Sequence, residues 1–207
     1  MKEANSGNPR PKNMRLFLVR HGQTTANFDK TYAGQTDVPL TEAGRREAES
    51  LRPVLAGFSF DKVFSSDLCR AVDTQLIALP GIVGQQTTLL REYDVGALAG
   101  RAFGDIPAEY TADMAYVRRV RDYTPFGGEN SQMVSQRLRK FFSMLEEDPC
   151  ENVIAFVHGG LMSCALQIVL NAEFDRTAVV TNNCAIHVFE YDGTHWRLLA
   201  WNYKGEL

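Results

Sequence analysis

LFLVRHGQTTAN, residues 16–27, runs four apolar side chains straight into an arginine, a histidine and a glycine. A short unbroken apolar run of this kind fits a strand buried on both faces. Arg20 and His21 are costly to bury, so the strand is expected to end where they begin. The pattern has an echo: VIAFVHGG, residues 153–160, again runs an apolar strand into a histidine and glycines. In a parallel sheet the carboxyl ends of the strands share one edge, and ligands bind there. His21 and His158 are therefore expected at that edge, facing each other.

Working outward, the elements alternate. Residues 1–13, polar with Pro9 and Pro11, read as a disordered N-terminal extension. Residues 14–207 read as one domain, long enough to bury a sizeable core. Thr41 caps a helix to about Ala56, with Ala48, Leu51 and Leu55 at helical spacing and Gly57 as its stop. DKVFSS (61–66) is a second strand, and 67–79 a helix ended by Pro80-Gly81. A helix over 129–146 places Val134, Leu138, Phe141 and Leu145 on one face. Residues 152–157 read as a third strand and 161–170 as the helix after it. Residues 183–191 and 195–202 form a hairpin around Asp192-Gly193. Such alternation predicts a three-layer α/β/α sandwich around a mostly parallel central sheet.

Residues 92–128 are rich in glycine and proline and read as an excursion over one end of the sheet, with a helix near 107–121. Within it, 93–128 forms a lid expected to set substrate choice. Its candidates are Tyr93, Asp94, Arg101, Phe103, Tyr110, Arg118 and Phe126, with Phe103 and Phe126 equally readable as local core.

Charge and composition exclude several classes. The net charge of −3 argues against nucleic acid and anionic membranes as partners. Residues 153–170 approach the length of a membrane span, but His158, Gly159, Gly160, Ser163 and Gln167 interrupt them. The four cysteines lie far apart, with no CxxC pair and no secretory signal before them, which predicts reduced thiols and a cytoplasmic protein. There is no GxGxxG, Walker lysine, GxSxG or HExxH. No metal and no cofactor is expected.

The remaining chemistry is cationic. Arg20 adjoins His21, and Arg70 in FSSDLCRA (64–71) lies one turn into the helix after the second strand. Two arginines and two histidines on one edge repel one another without an anion, and guanidinium forks match phosphate or carboxylate. Gly22 and Gly159 would leave backbone N–H groups open to such an anion. For Arg70 the alternative is a surface arginine paired with Asp67 or Asp73. His187 and His195, in the hairpin, read as satisfied polar groups.

Six blocks occur in order: RHG-x-T-x-x-N (20–27), Y-x-G-x-x-D-x-P-L-T-x-x-G (32–44), F-S-S-D-L-x-R-A (64–71), L-R-E (90–92), G-G-E (127–129) and V-x-H-G-G (157–160). Over about residues 14–202 the chain resembles the histidine phosphatase superfamily, in its phosphoglycerate mutase-like branch. The nearest likeness is to the alpha-ribazole and broad-specificity phosphatases. The resemblance implies the phosphoglycerate mutase-like fold and a phosphomonoesterase acting on a small phosphorylated metabolite without metal. It implies His21 as nucleophile, forming a phosphohistidine, and Glu92 as general acid and base. Arg20, Arg70 and His158 would clamp the phosphoryl oxygens and lower the pKa of His21. Gly22, Gln23, Thr24, Asn27, Gly34, Gln35 and Gly159 match the family's phosphate and substrate contacts. For Glu92 the alternative is a solvated loop carboxylate beside Asp94.

The chain also departs from the mutases it resembles. Ala26 stands where they place tryptophan, and Tyr93 where they place an arginine after the acid glutamate. Arg118 and Arg119 only loosely imitate another arginine pair of theirs. These departures favour a phosphatase. The alternatives are a 2,3-bisphosphoglycerate-dependent phosphoglycerate mutase and a catalytically weak phosphate-binding regulatory module. An exposed hairpin at 183–202 would permit a homodimer.

Overall fold

Alternate side chains of the central strands are apolar on both sides, so both faces of the sheet must be covered. In β1 (Met14–Arg20), Leu16 and Leu18 enter one buried cluster, and Phe17 and Val19 enter the other. The structure is a computed structural model that describes residues 13–105, 114–175 and 178–203. The other strands are β2 (Lys62–Ser66), β3 (Gln85–Thr87), β4 (Asn152–Val157), β5 (Ile186–Tyr191) and β6 (Trp196–Tyr203). They form one six-stranded sheet in the order β3-β2-β4-β1-β5-β6. From β3 to β1 neighbouring strands are parallel; β5 runs antiparallel to β1, and β6 to β5.

The helices are α1 (Thr25–Phe28), α2 (Glu42–Leu55), α3 (Cys69–Ala78), α4 (Met114–Val120), α5 (Ser131–Glu147) and α6 (Gly159–Leu170). Leu51 and Leu55 of α2 and Ala71 and Ala78 of α3 pack on the Phe17 side of the sheet. Val134, Leu138 and Phe141 of α5, with Leu161 and Ala165 of α6, pack on the Leu16 side. The expected α/β/α sandwich is what forms. Residues 153–170 split into β4 and α6 around His158, and among the described residues no helix is long and apolar enough to cross a membrane.

Two differences from the sequence reading have simple causes. β3 was not anticipated, because its three residues are polar and lie at a sheet edge with no apolar alternation, so 152–157 is the fourth strand. The hairpin's first strand starts at Ile186, because Asn183 and Cys184 donate to the His21 carbonyl and the Ala185 N–H to the Asn182 carbonyl. The predicted helix near 107–121 is seen as α4. Its residues 107–113, with Tyr110, lie outside the described residues, as do 1–12 of the expected N-terminal extension.

The block PLTEAG acquires a packing reason. Thr41 caps α2 by accepting from the Gly44 N–H at 3.0 Å, and its own N–H donates to the Gln23 carbonyl at 2.9 Å. This brings the start of α2 against the loop that follows β1. A Cβ on Gly22 would stand 2.3 Å from the Gly44 oxygen, and one on Gly44 would stand 2.0 Å from the Gln23 oxygen. Only glycine fits at either position, so the segment carrying His21 is locked onto a rigid helix end.

Candidate active site

The β1–β4 ladder sets the site. Arg20 pairs in register with Val157, and the His21 N–H donates to the Val157 carbonyl at 3.0 Å. The next residue on each strand is a histidine, and the two rings lie 5.2 Å apart between centroids. His21 is 5% exposed and His158 not at all.

Bonding settles the tautomer of His21. Its Nδ1 lies 2.7 Å from the Gly22 carbonyl oxygen, which can only accept, so Nδ1 carries the proton. The lone pair of the neutral ring is then on Nε2. Burial, followed by the nearby Arg70 and Arg20 charges, pushes the pKa of His21 well below its usual value. The same causes, burial first and then Arg70 and His21, hold His158 well down.

Above the histidines opens a cavity of about 430 Å³. Arg20, His21, Arg70 and Glu92 line it, with Thr24, Asn27, Gly34 and Gly159 around them. His158 is fully buried beside His21 and is not part of the lining. Arg70 is 1% exposed and donates to the Gly34 carbonyl at 2.7 Å and the Thr36 carbonyl at 2.9 Å. The surface-arginine alternative is thereby overturned: Asp67 is bound by Arg91, and Asp73 pairs with Arg45. Nor is Glu92 merely a solvated loop carboxylate. Its Oε2 accepts from the Gly160 N–H at 2.9 Å, at the start of α6, and its Oε1 from the Tyr93 N–H at 3.0 Å.

Three expected phosphate contacts lie elsewhere. The Gly22 N–H donates to Thr74 at 3.0 Å and is not open to an anion. The Gln23 N–H donates to Glu47 at 2.7 Å, and its side-chain oxygen accepts from Thr41. The Gln35 side chain turns behind Glu92 to reach its carbonyl and Glu129. All three brace the loops rather than face the cavity. Thr24 and Asn27 form a reciprocal cap on α1, so Asn27 reaches the wall already held.

Of the lid candidates, Tyr93, Phe103 and Arg118 line the cavity, whereas Phe126 is core and the Asp94 carboxylate turns to the Gly96 N–H. The loose arginine pair divides: Arg118 donates to the Tyr32 hydroxyl at 2.8 Å, while Arg119 lies over Tyr116. Asn130 caps α5, accepting from the Met133 N–H at 3.0 Å.

Sequence reasoning missed Arg121 and Asn183. Arg121 lines the cavity from a left-handed backbone conformation, φ 54°. Its only sequence signal was the basic run VRRVR. Asn183 donates to the His21 carbonyl at 3.0 Å, and no motif marked it.

Among the described residues, four arginines, Arg20, Arg70, Arg118 and Arg121, thus face one lining carboxylate, Glu92. Buried polar atoms without a protein partner cluster here: Arg20 Nε, Arg121 Nε and both ring nitrogens of His158. Native interiors seldom leave such groups unpaired, and an oxyanion in the cavity would satisfy the two arginine donors, whose side chains line it. Among the described residues no three His, Cys, Asp or Glu side chains are placed to hold a metal ion.

Outside the site, His187 stacks on Trp201 at 3.5 Å, and its Nδ1 accepts from the Asn202 N–H, which satisfies one of its two nitrogens; His195 is exposed. Burial holds the pKa of His187 down at about 3. Three buried histidines therefore stay neutral in the fold while their unfolded counterparts protonate below about pH 6.5. A depressed folded pKa means that stability is intact above 6.5 and lost as pH falls toward the folded values. Urea unfolding should show a loss of about 4 kcal/mol between pH 7.5 and 5.5, from about 1.4 kcal/mol per histidine per pH unit. A flat profile would show that these rings are not held neutral.

Comparison with known proteins shows the family. The model of the histidine phosphatase superfamily (branch 1) matches residues 16–204. An adenosylcobalamin/alpha-ribazole phosphatase from Escherichia coli (strain K12) is 34% identical over 154 residues, 72% of this chain and 76% of its own. A 2,3-bisphosphoglycerate-dependent phosphoglycerate mutase 2 from Gloeobacter violaceus is 31% identical over 196 residues, 89% of this chain and 90% of its own. The solved structure of a mycobacterial glucosyl-3-phosphoglycerate phosphatase with VO3 is 29% identical. It aligns at a TM-score of 0.83 and covers 92% of this chain and 100% of its own.

Proposed function

This chain belongs to the histidine phosphatase superfamily, branch 1, and from that premise we propose that it is a phosphomonoesterase working through a phosphohistidine on His21. The observation that carries the reading is the set of unpartnered buried donors around a histidine whose Nε2 holds the lone pair.

In the first step Nε2 attacks the ester phosphorus in line. The bond from phosphorus to the leaving oxygen breaks, and Glu92, as carboxylic acid, gives that oxygen its proton. In the second step the Glu92 carboxylate takes a proton from water, whose oxygen attacks the phosphohistidine. The N–P bond breaks and neutral His21 returns. Nδ1 keeps its proton throughout, held by the Gly22 carbonyl. Arg20 and Arg70, which line the cavity, stabilise the equatorial oxygens, where the transition-state charge sits. Burial and arginine neighbours keep the His21 proton off well below pH 6.5, so the nucleophile stays available in mild acid.

Tyr32, Phe103, Arg118, Arg121 and Tyr123 ring the outer cavity, which suits a small phosphate ester whose alcohol part meets both aromatic faces and cations. The named activities of the relatives make alpha-ribazole phosphate and glucosyl-3-phosphoglycerate the first esters to assay. The proposal is tested by quenching turnover in alkali. A phosphoramidate survives base and is lost in acid, so the label should be recovered on the peptide carrying His21. A base-stable adduct on any other residue, or turnover with no adduct at all, would overturn the reading.

A further inference from the structure

Glu92 lies in a stretch with no regular structure, between the 3₁₀ turns Thr88–Leu90 and Gly96–Leu98. Its carboxylate is fixed by two N–H groups at the front, but its main chain needs holding from behind. A loop residue left unbraced wanders by more than proton transfer tolerates.

What lies behind it is a polar cluster drawn from two distant parts of the chain, Gln35 and the segment from Glu129 to Arg137. Arg137 on α5 spreads its fork across the loop: Nη1 donates to the Leu89 carbonyl and Nη2 to the Glu92 carbonyl, each at 3.0 Å. Gln35 donates to the same Glu92 carbonyl at 3.1 Å. Glu129 accepts the Asp94 N–H at 2.9 Å, and its own N–H donates to the Asp94 carbonyl at 2.8 Å. Glu129 also pairs with Arg137, Oε1 with Nε at 3.2 Å and Oε2 with Nη2 at 3.2 Å. Both side chains are about 15% exposed, so water does little to loosen them. Neither lines the cavity.

We propose that Arg137 and Glu129, with Gln35, form a clamp that positions Glu92 for proton transfer, gripping the main chain on both sides of it without touching substrate. The inference rests on Glu92 being the general acid. It explains why a charged pair is kept beneath the site: one planar fork bonds two loop carbonyls and a carboxylate at once, which an ammonium cannot do. Arg91 extends the clamp forward, holding Asp67 through two nitrogens while donating to Gln35 at 3.2 Å.

A merely structural role would lower activity on every substrate alike, so the test compares leaving groups. p-Nitrophenolate departs without help, whereas an alkoxide such as that of glycerol 2-phosphate needs its proton. kcat/KM reports the steps through the first bond cleavage. Glu92→Gln should raise the ratio of kcat/KM for p-nitrophenyl phosphate over glycerol 2-phosphate by about 10²-fold or more, the usual contribution of a positioned acid. Arg137→Lys, which keeps the charge but not the fork, and Glu129→Gln, which keeps the size but not the charge, should each raise the same ratio by about tenfold while Glu92 is intact. Normalising to active sites titrated by the alkali-trapped phosphoenzyme removes any effect of misfolded protein, and the ratio needs only the active fraction. If Glu92→Gln moves the ratio and neither clamp variant does, the clamp is overturned and the acid stands. If Glu92→Gln leaves the ratio unchanged, the acid assignment fails and the clamp falls with it.

Discussion

Replacing His21 with alanine is expected to reduce p-nitrophenyl phosphate hydrolysis to background, a loss of at least about 10⁴-fold, as when other covalent nucleophiles are removed. No neighbour can take over. His158 is fully buried beside His21 and is not part of the cavity lining, and its ring is the other end of the same buried pair. Phosphate binding should persist, because Arg20 and Arg70 remain. Activity above a few per cent of the parent rate, in a variant that unfolds cooperatively, would show that phosphorus is attacked by something else.

The second large effect belongs to Arg70. One guanidinium braces the loop from Gly34 to Thr36 through two carbonyls and faces the cavity as a cation. Arg70→Ala should cost about 10²–10³-fold in kcat/KM through lost transition-state stabilisation. It should also cost about 2–4 kcal/mol of stability, because two carbonyls lose their donors and a cavity opens. Arg70→Lys should not rescue it, since one ammonium cannot reach both carbonyls and a phosphoryl oxygen. Steady-state kinetics beside thermal unfolding would separate the two losses. A lysine variant within threefold of the parent would mean that charge alone suffices.

Much of this was legible in the sequence, for identifiable reasons. Runs such as LFLV and VIAFV can only be strands buried on both faces, and histidines at their ends must meet if the strands are parallel neighbours. Thr41 carried its capping chemistry openly. What was not legible depended on the path of backbone rather than on residue type. Gly22 read as freedom for an anion, yet with Gly44 it marks a close approach of two main chains. Gln35 was expected among the phosphate and substrate contacts from the family resemblance, but its side chain turns to the Glu92 carbonyl and Glu129. Arg121 reaches the cavity only because its backbone is left-handed, which nothing in VRRVR announces.

The ladder between β1 and β4 has a consequence for how the protein comes to life. Residues 20 and 157 are paired in register though 137 positions apart in sequence. Closing so long a loop is slow and is rewarded only once the centre of the sheet forms. The two histidines therefore cannot meet in any early or partial intermediate, and catalytic competence arrives late, together with the core. A nascent chain released before β4 exists carries RHG in full and has no site at all.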